Sequence, residues 1–318
     1  MARQDTVKGD FSKTGNDRGK VTRILHVEDP EKLLAELRRV AHLAAPDFDW
    51  PAFHKVYKDV MALFSGDFPG FRSCNTPYHD LAHTLDVVLA TARLLHGVSI
   101  EHHLIPLDSR YVLLCLIAAL MHDTGYIQET HDTEGTGAKH TRIHVERSAD
   151  FARTYLLNAG FSEADAEKCA AMILCTELSS CPSSIAFQDA ETRVAGKILG
   201  TADLLGQMAS RNYLEKLVLL YRELVEGEVD EFSSELDLLE KTKGFYEFIR
   251  NRMECHLDGL CTAMRSHFRE RFALDRDLYA EYAEKNVRYL SDLLSKNGDA
   301  YRSELRRAGS VIGTKFTE

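Results

Sequence analysis

From about residue 30 onward, apolar residues recur every three to four positions, the spacing of one face of an α-helix. Leu33, Leu34, Leu37 and Val40 share a face behind Asp29 and Pro30, a favourable N-cap and first-turn pair, so a helix is expected to open at Pro30. Phe53, Val56, Val60 and Leu63 repeat the pattern from about Pro51. After the loop GDFPGFRSCNTP, helical spacing resumes from Tyr78 to Leu95. Ser109 is then placed as the cap of YVLLCLIAALMHD, which ends at Asp123 and is apolar on every side, as a helix inside the core would be. A Gly- and Thr-rich stretch from Thr124 to Thr141 separates it from HVERSADFARTYLLNAG, where Gly160 is a natural stop before a helix starting near Ser162. Further helices are expected over 187–208, 211–226, 240–272 and 276–294. No alternating strand pattern with hairpin turns is found, so the fold class is all-α, a multi-helix bundle.

The first 25 residues are polar and charged and read as a flexible N-terminal arm, leaving 26–318 as a single helical domain. The arm lacks the apolar core of a signal peptide, and no stretch reaches membrane-spanning length. Seven cysteines stand singly with no C-x-x-C pair, which suits a reducing, cytoplasmic setting. A formal net charge of −10 argues against a nucleic acid polymer or an anionic membrane as partner. An anionic small molecule would need local help, such as a metal.

Candidate chemistry begins with His122-Asp123, a polar pair at the end of an almost wholly apolar run. Taken alone, such a pair is a capped helix end with a hydrogen-bonded imidazole; its surroundings change that reading. In YHDLAHTLDV, His79, His83 and Asp86 are spaced i, i+4 and i+7, on one helical face. In GTADLLGQMA, Asp203 sits on an apolar helix, where an unpaired carboxylate is expensive. Two imidazoles and two carboxylates form a mixed nitrogen and oxygen donor set suited to Zn, Mn or Fe, with Mg at an oxygen-rich second position.

The H…HD…D pattern of His83, His122-Asp123 and Asp203 resembles the ligand set of the HD superfamily of metal-dependent phosphohydrolases. YHDLAHTLDV is similar to the Y-H-N-x-x-H-A-x-D-V signature of class I cyclic nucleotide phosphodiesterases, and KGFYEFIRNRM to the segment after their last metal ligand, so the likeness spans roughly residues 75–260. It implies an HD-domain bundle with the metal site between central helices. His83, His122, Asp123 and Asp203 would hold a first divalent ion and Asp123 would bridge to a second, with His79 as general acid. The implied activity is hydrolysis of a phosphate ester, preferably a phosphodiester of a nucleotide or related small metabolite.

Three departures from the phosphodiesterase pattern stand out. Tyr126 replaces the second histidine of H-D-x-x-H. Thr242 stands where the purine-selecting Gln would precede a clamping Phe, here Phe245. The 124–144 insert adds His131, Asp132, Glu134, His140 and His144. His144 and Glu177 resemble further ligands of HD proteins that bind two or three metals. His140 and His144, one turn apart, could grip a second cation or, with Lys139, Arg142 and Arg147, meet phosphate. Gln207 and Arg211 follow Asp203 by one and two turns and are candidate substrate contacts, whereas His96, His102 and His103 read as surface residues. Two other activities fit the same residues: an HD-fold di-iron oxygenase and a non-catalytic nucleotide-binding sensor. The amphipathic C-terminal helices could pair two chains as a homodimer.

Overall fold

The computed structural model of the chain describes residues 24–305 apart from 26, 28, 102, 103 and 298–300. Helices α1 (Pro30–Ala44) and α2 (Trp50–Ser65) open where expected, behind Asp29 and Asp49, whose carboxylates accept first-turn N–H groups. They are followed by α3 (Leu81–Ile100), α4 (Ser109–Met121), α5 (His144–Asn158), α6 (Glu163–Ile173), α7 (Ala190–Ala209) and α8 (Tyr213–Glu226). The chain then forms α9 (Glu235–Cys255), α10 (Ala263–Phe272), α11 (Leu278–Asn297) and the short α12 (Tyr301–Glu304). Among the described residues the only strand-like pairing is one antiparallel bridge between Phe71 and Glu129. No helix among them is long and apolar enough to cross a membrane.

The apolar run of α4 is buried continuously from Val112 to Met121. Burial of each large aliphatic side chain is worth about 1.5–3 kcal/mol, so such a helix is stable only inside the bundle. It packs with α3 and α7 at the centre, and α1, α6, α10 and α11 close over that trio. His83 and Asp203 lie on two of these central helices and His122-Asp123 directly after the third, so the buried centre of the fold positions them.

Several boundaries differ from the sequence expectation. Helix α3 starts at Leu81, not Tyr78, because Asp80 caps it by accepting the His83 N–H at 2.9 Å. His79 therefore lies in the bend before the helix, not on its face. The same helix runs on to Ile100, which moves His96 into the interior, its Nδ1 2.9 Å from His267 Nδ1. Gly97 allows that packing: a Cβ there would fall 2.0 Å from the Ala263 carbonyl oxygen. The cap of α4 is Asp108, which takes the N–H groups of Arg110 and Tyr111 at 2.8 and 3.1 Å, and Ser109 is the first helical residue. The expected 240–272 helix is two, broken where Asp258 and Gly259 adopt left-handed φ of 56° and 63°. Of the proposed arm, residues 1–23 lie outside the described residues, as do His102 and His103. Ile24 and Leu25 already belong to the packed body, since buried Arg93 donates to both carbonyls, that of Leu25 at 3.1 Å.

Candidate metal centre

Four side chains converge where α3, the end of α4 and α7 meet. His83 Nε2 lies 3.3 Å from Asp123 Oδ2 and 3.3 Å from Asp203 Oδ1. His122 Nε2 lies 3.2 and 3.6 Å from the same two oxygens, and 3.4 Å from His83 Nε2. Donors about 2.1 Å from one shared cation stand about 3.0 Å apart at right angles and about 3.4 Å apart at the tetrahedral angle, so this spacing suits a single ion. His83, His122 and Asp123 form the tightest group, all within 4.8 Å of one another, and could hold a metal ion. Asp203 approaches through the two imidazoles.

The donor chemistry supports the same reading. Asp123 Oδ2 is buried with no well-formed hydrogen bond, only the two imidazole nitrogens at 3.2 and 3.3 Å, a costly arrangement for a carboxylate unless positive charge, a metal ion or a protonated ring, meets it. The opposite edge of the His122 ring is fixed, its Nδ1 donating to the Ala119 carbonyl at 2.9 Å, which leaves the Nε2 lone pair facing the cluster. Burial pushes the His83 imidazole down, but Asp123 and Asp203 outweigh it and hold the ring up at about 9. His122 is raised well above its usual range by the same carboxylates, again against burial. Asp123 and Asp203 are lowered in turn by the two imidazoles, despite burial. In the metal-free site, protons do the work that a cation would do.

A pH dependence follows. A histidine whose folded pKa is raised from 6.5 to about 9 contributes stability below 6.5 and loses it as pH rises through 9. Chelator-treated protein is therefore expected to melt at falling temperature between pH 7 and 9, while metal-loaded protein, which needs no such protons, declines much less. Burial lowers both His96, to about 4, and His267, so both stay neutral throughout that interval and do not enter the comparison. Parallel melting curves for the two forms would contradict this account.

Beside the cluster, His144 Nε2 lies 3.8 Å from Asp123 Oδ1, and its Nδ1 donates to the Thr141 carbonyl at 2.6 Å. Burial lowers its pKa, so a neutral ring turns its lone pair toward Asp123. Tyr126 stacks at 4.4 Å on both His79 and His144, whose rings are 6.0 Å from each other, and burial keeps its phenol protonated. Gly125 makes this possible. A Cβ at Gly125 would lie 2.0 Å from the His144 carbonyl oxygen and 2.9 Å from Arg147 Cβ. Gly125→Ala must push the His-Asp turn away from α5, at a cost of about 1–3 kcal/mol or more. Lower thermal stability together with weaker metal retention is expected, and wild-type values for both would show that the turn is not tightly held.

The remaining sequence candidates divide. His79 is half-buried and its Nδ1 lies 2.6 Å from Glu223 Oε2; Glu223 Oε1 accepts the Tyr78 N–H at 2.6 Å. Gln207 Oε1 accepts the Tyr78 hydroxyl at 2.8 Å, and both residues line a small cavity with His83, Asp86, Ser210, Tyr213 and Lys216. Burial raises the Asp86 carboxyl to about 6 there. Glu177 is close enough to His144 to influence its charge, while its carboxylate accepts the Ser179 N–H at 2.9 Å.

His140 turns to Asp132, with Nε2 3.3 Å from Oδ2, and Lys139 pairs with that same carboxylate. Arg142 donates to the backbone at Gly227 and Glu228, and Arg147 to that at Gly125 and Ile127, so the basic residues of the insert brace the loop. Exposed His131 pairs with Glu129 at 3.2 Å. Arg211 is exposed in the turn between α7 and α8. On α9, the Thr242 hydroxyl donates to the Leu238 carbonyl at 2.9 Å, and half-buried Phe245 stacks on Phe248 at 6.2 Å. The residue missed from the sequence is Glu223.

Residues 50–259 match the model of the protein family described as Npun_R2479-like. That span contains each of the candidate residues from His79 to Phe245. No curated protein matches the chain.

Proposed function

The chain belongs to the Npun_R2479-like family, and we propose that it is a metal-dependent phosphohydrolase acting on a phosphodiester of a nucleotide or similar small metabolite. One observation carries this reading. The donor cluster of His83, His122, Asp123 and Asp203 lies beside a histidine that is backed by a buried carboxylate, His79 on Glu223.

His83, His122, Asp123 and Asp203 would hold the first ion, and Asp123 Oδ1 with His144 Nε2 offers donors to a second. When bound, divalent metal supplies Lewis acidity to the phosphoryl group and a nucleophile at neutral pH. Glu223 anchors the Nδ1 edge of the His79 ring, which leaves Nε2 on the other edge to give a proton to the leaving oxygen. An alkoxide leaves poorly, so that proton matters most for a diester of a sugar or alkyl alcohol. Tyr126 stacks on both His79 and His144, whose own rings are 6.0 Å apart, so the three rings pack as one cluster that fixes how the two histidines are oriented.

The test is elemental analysis of the purified protein, followed by assays with bis(p-nitrophenyl) phosphate and p-nitrophenyl phosphate in added Mn, Mg and Zn. Bound metal with diesterase turnover is the expected result. Two tightly held irons without hydrolysis would replace it with the di-iron oxygenase, and nucleotide binding without turnover with the sensor.

A further inference from the structure

Well away in sequence from the H…HD…D residues, Cys181 and His256 are brought together from positions 75 residues apart. Cys181 lies in the segment between α6 and α7, and His256 caps the end of α9. The sulfur is 3.4 Å from His256 Nδ1 and accepts the Ser183 hydroxyl at 3.0 Å. The Ser184 hydroxyl donates to the Cys181 carbonyl at 2.7 Å, which fixes the turn.

Arg252 holds this segment from beneath. Its side chain is buried, and its guanidinium donates to the carbonyls of Glu177, Leu178 and Ser180 at 2.6, 3.3 and 3.0 Å. The Ser183 hydrogen bonds lower the Cys181 thiol from its ordinary range, and Arg252 and Lys197 add positive charge nearby, the latter paired with Asp258.

None of the other six cysteines has this environment. Burial raises Cys115, Cys169, Cys175, Cys74 and Cys261. Cys255 is exposed like Cys181, but its thiol donates to the amide oxygen of Asn251 at 3.4 Å and not to an imidazole. A nucleophile and a base within hydrogen-bond reach, on an accessible surface, are the two parts a reactive thiol requires.

We propose that Cys181 is a modification site, a thiol paired with His256 that exchanges with small disulfides. The sulfur attacks one sulfur of the disulfide R–S–S–R, forming Cys181–S–S–R and breaking the S–S bond. The displaced thiolate leaves with the electron pair and takes the proton that Cys181 had passed to His256. No other oxidant is needed, because the disulfide is reduced as the cysteine is oxidised. This inference stands independently of the proposed hydrolysis.

The experiment treats the full-length protein with dithiobis(nitrobenzoate), itself a small anionic disulfide, and follows release of thionitrobenzoate with peptide mapping of the early product. One equivalent should react first and map to Cys181. Cys181→Ser should remove that phase and leave the Cys255 phase intact. His256→Gln should slow it about threefold or more, the net effect expected when a lost thiolate population is partly offset by higher intrinsic nucleophilicity. Early label on Cys255, survival of the fast phase in Cys181→Ser, or an unchanged rate in His256→Gln would each overturn the proposal. Unchanged circular dichroism and an unchanged Cys255 rate in both variants separate these outcomes from loss of fold.

Discussion

Asp123→Ala should yield folded protein that retains almost no metal and has no hydrolytic activity above background. Asp123 is the one residue that offers an oxygen to each half of the site, Oδ2 to His83 and His122 at 3.3 and 3.2 Å and Oδ1 to His144 at 3.8 Å. Loss of an outer hydrogen-bond partner already weakens metal sites about 10–100-fold, so loss of a direct ligand should cost at least about a hundredfold in affinity. The fold should survive, because the two imidazoles that Asp123 keeps charged can shed their protons once it is gone. The loss of metal-free stability between pH 7 and 9 should shrink in the same variant, since His83 loses one of its two carboxylate partners, each 3.3 Å away. Asp203→Ala should weaken metal binding less, because the tight group of His83, His122 and Asp123 remains. Elemental analysis and calorimetric titration with Zn or Mn check both variants. Stoichiometric metal in purified Asp123→Ala would remove the basis of the proposed centre.

Of these candidate ligands, three were legible in the sequence because they break a local rule. His122-Asp123 ends a run that is otherwise apolar, and Asp203 is a carboxylate within a buried helix, so each needed a partner that its own helix does not offer. The helical bundle was legible for a related reason, a strong 3.6-residue period with Asp-Pro starts. Its boundaries were less so. Helix α3 starts three residues after the expected Tyr78, behind Asp80, and the cap of α4 falls on Asp108 beside the expected Ser109; Asp and Ser cap about equally well, so the local sequence does not choose between such neighbours.

The burial of His96 could not be read locally, since it depends on α10 approaching α3 closely at Gly97. Nor could the role of the basic residues in the insert, which brace backbone carbonyls that only tertiary folding brings near. Glu223 carried a signal that was overlooked. It lies on the apolar side of α8, in line with buried Glu215 and Leu219, and a carboxylate placed there calls for a partner just as Asp203 does. Its partner lies 144 residues earlier, so the sequence gives the need but not the answer.

That partnership separates metal binding from proton transfer. His79→Gln should keep its metal, because the ring is no part of the donor cluster, and should lose about 10²–10⁴-fold in turnover of a diester whose leaving group is an alkoxide. Bis(p-nitrophenyl) phosphate should be affected far less, since p-nitrophenolate departs without a proton. Glu223→Gln should lie between wild type and His79→Gln on the alkoxide substrate. The amide can still meet His79 Nδ1, but without the negative charge that backs the ring, and it can offer its N–H where the carboxylate accepted one, changing which ring nitrogen carries the proton. Glu223 is a positioning residue in this scheme, so the loss should appear in kcat and in the contrast between leaving groups, with metal content unchanged. If both variants slowed the two substrates equally, the histidine and its carboxylate would be shaping the pocket and the proton would come from elsewhere.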